Sequence, residues 1–248
     1  MADATPLWET MVYGPVRSRR LGVSLGVNLL PQRSKICSFN CPYCQCGFNT
    51  PRATGSRWPS PDEVLHSLTR ALARLTAPPD WITFSGNGEP TLHPRFAVVV
   101  DRVLAARDAA APKARVAILS NGLTVGERAV RAALLRLDAR IMKLDPGPMA
   151  KVNGASYDAE RLVTQYQSLK PYTLQAMVVK GQGWDGSSDA SLAAWLSLVA
   201  RADPDAVQIY SLARPPADAR VLNVARERLD VMATAIRKAL PHAFVEVF

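Results

Sequence analysis

RVAILSNGLTVGERAVRAALLRLDARIMKLD, residues 115–145, carries a strand, a turn, a helix and a second strand in a row. RVAILSNG (115–122) is a short apolar run that ends at Asn-Gly and reads as a strand. A helix is predicted over about residues 126–137, and RIMKLD (140–145) is the next strand. A helix between two strands is the connection that parallel strands require, so this stretch predicts one βαβ unit.

The same unit repeats in both directions. Towards the N-terminus, WITFSG (81–86) reads as a strand, with a helix over 94–109 after it. Before it, SPDEVLHSLTRALARL (60–75) carries full helix-start signals: Ser60 as N-cap, Pro61 at the first helical position and Glu63 closing a capping box. Its buried stripe is Val64, Leu65, Leu68, Leu72 and Leu75. GVNLL (26–30) is the first strand. Towards the C-terminus come a helix over 158–169, the strand YTLQAMVV (172–179), a helix over 189–202 and the strand AVQIYS (206–211). A last helix over 219–240 places Leu222, Ala225, Leu229, Met232, Ile236 and Leu240 at helical spacing, and FVEVF closes the chain as an extra strand. Six strand–helix units predict an α/β fold, a partial (β/α)6 TIM-like barrel with an N-terminal extension; a doubly wound sheet also fits the alternation. Either places its active site at the carboxyl ends of the strands. The expected organisation is one domain over 1–248: a basic extension (1–25), the six units (26–240) and a terminal strand (241–248).

Hydrophobic residues make up 48% of the 248-residue chain and charged residues 21%, a globular balance. No run of about eighteen apolar residues occurs, so no membrane partner is expected. MADATPLWETMV lacks the basic-then-apolar order of a signal peptide, and the expected compartment is the reducing cytoplasm. Four cysteines within ten positions are then not a disulfide framework. The net charge is +9, with arginine spread along the chain as a solvated surface. The first sixty residues are different. Lys/Arg at 17, 19, 20, 33, 35, 52 and 57 face only Asp3 and Glu9, an excess suited to an anionic substrate or an acidic electron donor.

Parallel strands covered on both faces should be apolar on both. Here the later strands alternate. Met142, Leu144, Leu174, Ala176, Val178, Val207 and Ile209 make one face; Lys143, Asp145, Thr173, Gln175, Gln208 and Tyr210 make the other. Three such strands predict a polar pocket inside the barrel, with Lys143, Asp145, Gln175 and Tyr210 as candidate catalytic residues.

KICSFNCPYCQCG (35–47) holds every cysteine of the chain. Cys37, Cys41 and Cys44 are spaced C-x3-C-x2-C, which suits three corners of a [4Fe–4S] cluster and leaves the fourth iron open. A four-cysteine zinc site normally comes as two separated pairs. A thioredoxin-like pair, Cys41-Pro-Tyr-Cys44, gives Cys37 no task. Cys46 stands outside the spacing, either a free loop thiol or a thiol with a chemical role.

CSFNCPYC resembles the cluster loop of the radical S-adenosylmethionine (SAM) enzymes, and SGNGEP (85–90) resembles their Gly-Gly-Glu-Pro motif, with Asn87 inserted. The resemblance implies SAM on the open iron. It implies Tyr43 against adenine, Gly86, Asn87, Gly88 and Glu89 around the methionine amino group, and Ser120 and Asn121 of LSNG near ribose or carboxylate. It further implies one-electron cleavage of SAM to methionine and a 5′-deoxyadenosyl radical that takes hydrogen from a substrate. The electron donor would be a flavodoxin or ferredoxin. YGPVRSRRLGVSLGVNLLP, ITFSGNGEPTLHP, IMKLD and VQIYSLARPP look like a small group similar to the wyosine-forming tRNA enzymes. Those enzymes carry extra cysteines ahead of the loop for a second cluster; here none precedes Cys37. The expected substrate is an anionic small molecule or nucleoside, with tRNA included. The alternative is an activase of a glycyl-radical enzyme, and a third reading is a non-catalytic electron carrier. Lys143 would serve either as a Schiff-base amine or as the ion-pair partner of Asp145. Arg17, Arg19, Arg20 and Arg214 would grip phosphate or carboxylate, or lie on exposed loops; His93 reads as a helix-start residue.

Overall fold

A computed structural model describes residues 7–50 and 57–248; Asp3 and Arg52 of the basic-segment count lie outside the described residues. Eight strands form one sheet in the order β1 (Val12–Ser18), β2 (Gly22–Val27), β3 (Trp81–Phe84), β4 (Arg115–Ser120), β5 (Ala139–Lys143), β6 (Thr173–Met177), β9 (Ala206–Tyr210) and β10 (Phe244–Val247). All pairings are parallel except β1 with β2. A two-stranded ribbon, β7 (Lys180–Gly181) and β8 (Trp184–Asp185), stands apart. Helices α1 (Pro61–Ala73), α2 (Phe96–Ala110), α3 (Arg128–Leu134), α4 (Met149–Val152), α5 (Ala159–Gln167), α6 (Asp189–Ala202) and α7 (Arg226–Ala239) fill the crossovers. The fold is the expected α/β partial TIM-like barrel.

Period-two alternation sorts the strands. Ile82, Phe84, Val116, Ile118, Met142, Leu174, Ala176, Val207 and Ile209 point outward into one core with the helices. The alternate positions point inward and include polar residues, among them Ser24 and Thr83, whose hydroxyls meet at 2.7 Å. The capping box of α1 forms as predicted: Ser60 Oγ accepts the Glu63 N–H, and the Glu63 carboxylate accepts the Ser60 N–H.

Three boundaries differ from the sequence reading. The first parallel strand begins at Gly22 and ends at Val27, not at 26–30, because the Asn28 side chain accepts the Leu30 N–H and turns the chain. Residues 12–18, read as part of an extension, are an edge strand of the sheet. The last helix begins at Arg226 rather than 219: Leu222 is exposed and exchanges backbone hydrogen bonds with Lys180, so the segment before it is extended.

Arg140, 6% exposed, closes the outer end of β5. Its guanidinium donates to the carbonyls of Leu134, Leu135, Leu137 and Pro171, satisfying the last turn of α3. Removing it leaves those acceptors dry. Arg140→Ala is expected to lower stability by about 3 kcal/mol, read as the shift of the urea unfolding midpoint.

Candidate active site at the strand ends

The cysteine loop leaves the carboxyl end of β2 and is bracketed by a buried lysine. Lys35, 2% exposed, donates from Nζ to the Gly47 carbonyl, and its backbone pairs with Thr50 in both directions. Residues 36–47 are therefore tied base to base. The loop is also pinned to the turn after β3: Ile36 N–H donates to the Asn87 carbonyl, and Glu89 N–H donates to the Ile36 carbonyl. Gly88 permits this approach. A Cβ there would stand 1.8 Å from the Ile36 carbonyl oxygen, and its φ of +144° is one that L side chains rarely adopt.

Two buried carboxylates meet the loop from the strand ends. Glu89 accepts from the Thr91 N–H and hydroxyl, from Ser120 Oγ at 2.8 Å and from the Asn121 N–H at 2.7 Å. Burial raises its pKa, while those donors, led by the Asn121 N–H, act in the opposite direction. Asn121 then reaches Ser38 Oγ at 2.8 Å and Cys37 Sγ at 3.6 Å. Asp145 accepts the Met177 N–H at 2.7 Å, the Lys143 ammonium at 3.1 Å, the Tyr43 hydroxyl and Asn153 Nδ2 at 2.7 Å. Asn153 in turn donates to Cys41 Sγ at 3.7 Å.

The structure brings the interior polar set together. Gln175 donates to Gln208 at 3.0 Å, Tyr210 donates to Gln175 at 3.2 Å, and Gln208 donates to Glu246 at 3.1 Å. Lys143 lies 4.9 Å from the Tyr43 ring centre and 5.9 Å from that of Tyr210. Burial works against its charge, but Asp145, with smaller help from Tyr210, raises its pKa and keeps it an ammonium. That favours the ion-pair role over a Schiff-base amine.

Asn87 departs from its expected role. Its side chain exchanges hydrogen bonds with the Trp8 backbone and donates to the Pro31 and Gln32 carbonyls; its N–H goes to Asn28 and its carbonyl to Ile36. It is spent on the protein, leaving Gly86 and Gly88 as the open backbone of that turn. Cys46 does not point away from the loop: its thiol engages Cys44 and donates to the Gly86 carbonyl at 3.5 Å. His93 packs as expected, Nδ1 accepting the Arg95 N–H and Nε2 on the Pro59 carbonyl.

Sequence reading missed Asn153 and Ser38. Asn153 sits in an Asn-Gly pair that reads as a turn, and Gly154 (φ +60°) lets that turn close on the Asn40 carbonyl. Among the described residues no three His, Cys, Asp or Glu side chains converge on a single-ion site. A cube-shaped cluster instead gives each thiolate its own iron, and amide donors already aim at two of these sulfurs. Burial, assisted by Glu89, pushes the Cys37 thiol up to about 12; burial and Asp145 push Cys41 up to about 11. Both thiols would lose their protons only on binding iron. The donor set fits a [4Fe–4S] cluster.

A family model described as the radical SAM superfamily matches residues 32–139. The UPF0026 protein slr1464 of Synechocystis is 32% identical over 219 residues, 82% of this chain and 76% of that protein. A protein of Brachyspira hyodysenteriae named GTPase Obg is 37% identical over 139 residues, 56% of this chain and 19% of its own length. The match spans less than half of other curated relatives, 42% of a UPF0026 protein of Helicobacter pylori and 40% of one of Methanocaldococcus jannaschii. Streptococcus suis SuiB bound to S-adenosylmethionine shares the fold, with a TM-score of 0.63 and 11% identity over 90% of this chain and 50% of that one. No helix among the described residues is long and apolar enough to cross a membrane.

Gly88→Ala is expected to push the loop off the turn and to lower iron and sulfide incorporation about 10-fold or more. Iron and sulfide analysis of the reconstituted variant checks this.

Proposed function

The chain belongs to the radical SAM superfamily, and from that premise we propose a radical SAM enzyme whose cluster is held by Cys37, Cys41 and Cys44. When bound, the reduced [4Fe–4S] cluster and SAM supply methionine and a 5′-deoxyadenosyl radical that takes a hydrogen atom from the substrate. Every other task falls to the chain. Cys37 and Cys41 are held by amide donors from the end of β4 and the end of α4, which fixes the tripod against the barrel mouth. That wiring is the observation that carries the reading.

Gly86, Gly88, Ser120 and Asn121 line the turn and strand end beside the loop and would bind SAM. Glu89 would act on it through the Asn121 and Ser120 it orients. Tyr43 would present its ring to adenine while its hydroxyl is fixed by Asp145. Lys143 and Asp145 form a neutral pair, and Gln175, Gln208 and Tyr210 a linked set, on the inner wall where substrate would be oriented and water excluded. The basic N-terminal hairpin favours an anionic small molecule or nucleoside, tRNA included, over the glycyl loop of a partner enzyme. The reductant would be a flavodoxin or ferredoxin, whose acidic surface suits the basic segment around the loop.

Each of Cys37→Ala, Cys41→Ala and Cys44→Ala is expected to abolish methionine release by the reduced, reconstituted protein. Release at the wild-type rate from any one of them would overturn that ligand. Lys143→Ala and Gln175→Ala are expected to keep the visible cluster absorbance and to lower turnover about 10- to 100-fold. Unchanged turnover in both would remove the inner wall from the reaction.

A further inference from the structure

A cavity of about 620 Å³ opens between the β1–β2 hairpin, the polar ends of β2 and β3, and the loop after β9. Arg17, Arg19 and Arg20 of the hairpin and Arg214 of that loop line it, and no Asp or Glu does. None of the four takes part in an ion pair among the described residues. Other arginines of the chain meet an acid, as Arg107 meets Asp138 and Arg228 meets Asp189. Four unpaired guanidinium groups around one concavity repel one another, and an anion is what relieves that.

Arg20 is the most committed of them. Its guanidinium carbon lies 4.5 Å over the Tyr210 ring and 6.0 Å from the Phe248 ring. Tyr210 is itself hydrogen-bonded to Gln175, which joins Gln208 and Glu246, so the guanidinium rests on a ring held by the inner polar set. Stacking occupies its face and leaves its edge donors to point sideways. One of them, Nη1, is buried and has no hydrogen-bond partner. A buried donor without an acceptor is costly to the protein and ready for a ligand. The lining also includes Ser85 and Tyr13, joined at 2.7 Å, and Gln45, Cys46 and Gly86. Those last residues belong to the cysteine loop and the turn after β3, so the cavity reaches that loop at Gln45 and Cys46.

We propose that this cavity binds a small molecule carrying a doubly charged oxyanion group, a phosphate monoester or paired carboxylates, with Arg20 as its anchor. The proposal deepens the functional reading and rests on it for the chemistry that follows, but not for the binding. A nucleic-acid backbone carries one charge per phosphate and needs an open groove, whereas the anchor Arg20 is half-buried against Tyr210, with the exposed Arg17, Arg19 and Arg214 around the same cavity.

Calorimetric titration of the reconstituted full chain with inorganic phosphate, ribose 5-phosphate, succinate, ribose and an RNA stem–loop tests this. Saturable binding is expected for ribose 5-phosphate or succinate and not for ribose; the tighter of the two names the oxyanion. Arg20→Gln and Arg214→Gln are each expected to weaken that binding about tenfold or more, and Arg20→Lys to restore part of it. Arg128→Gln, on the exposed face of α3, is expected to leave it unchanged. Thermal melting checks folding, and if Arg20→Gln melts early, Arg20→Lys and Arg214→Gln carry the decision. No saturable small-anion binding, wild-type affinity in folded Arg20→Gln, or binding of the RNA alone would overturn the proposal. Methionine release from the same samples reports the cluster separately, so either reading can fail without the other.

Discussion

The carboxylate of Asp145 stands where four segments of the chain meet. One oxygen accepts the Met177 N–H from β6 and the ammonium of Lys143 from β5; the other accepts the Tyr43 hydroxyl from the cysteine loop and the Asn153 amide from the end of α4. A carboxylate with no exposed side-chain surface is costly unless each lone pair is used, and here the protein uses them to register the loop against the sheet. Removing one donor would leave a charge the barrel interior could not hydrate. The position of the loop is thus fixed by an electrostatic requirement more than by packing.

Glu89 repeats the device on the other side of the loop. Each acid is tied to the strand ends, each orients one asparagine, and each asparagine donates to one cysteine sulfur: Glu89 through Asn121 to Cys37, Asp145 through Asn153 to Cys41. Two of the three thiols are therefore addressed by an asparagine that an acid positions, Asn121 through its backbone N–H and Asn153 through its side-chain amide. Lys35 closes the loop from beneath, and its positive charge favours the thiolate of Cys44. Cys44, the third thiol, has Cys46 beside it instead of an asparagine, and that neighbour, followed by Lys35, draws its pKa down against burial.

The fold was legible because its elements repeat. RVAILSNG, WITFSG and AVQIYS each present an apolar face at period two, and the capping residues around Ser60 determine a helix start by local chemistry alone. The limits were also local. Asn28 looks like a strand residue until its amide turns onto Leu30 two residues on, and Leu222 fits a helical stripe until Lys180, distant in the sequence, offers it a strand partner. At the site, cysteine spacing is written in one short segment and could be read. Asn153 could not, since its meaning arises only when residues more than a hundred positions away fold onto it. Asn87 shows the converse: a residue in the right motif whose side chain is claimed by the Trp8 backbone and the Pro31 and Gln32 carbonyls.

The hairpin gives the barrel a replaceable wall. Gly26 has no side chain, and the Tyr13 ring from β1 fills its place: a Cβ at Gly26 would meet that ring at 2.0 Å. The shape of the interior on this side is therefore drawn by β1, an edge strand hydrogen-bonded to one neighbour and outside the main core except for Met11 and Val12 at its start. Substitutions along it would re-cut one side of the chamber at a distance from the acids and asparagines that hold Cys37 and Cys41.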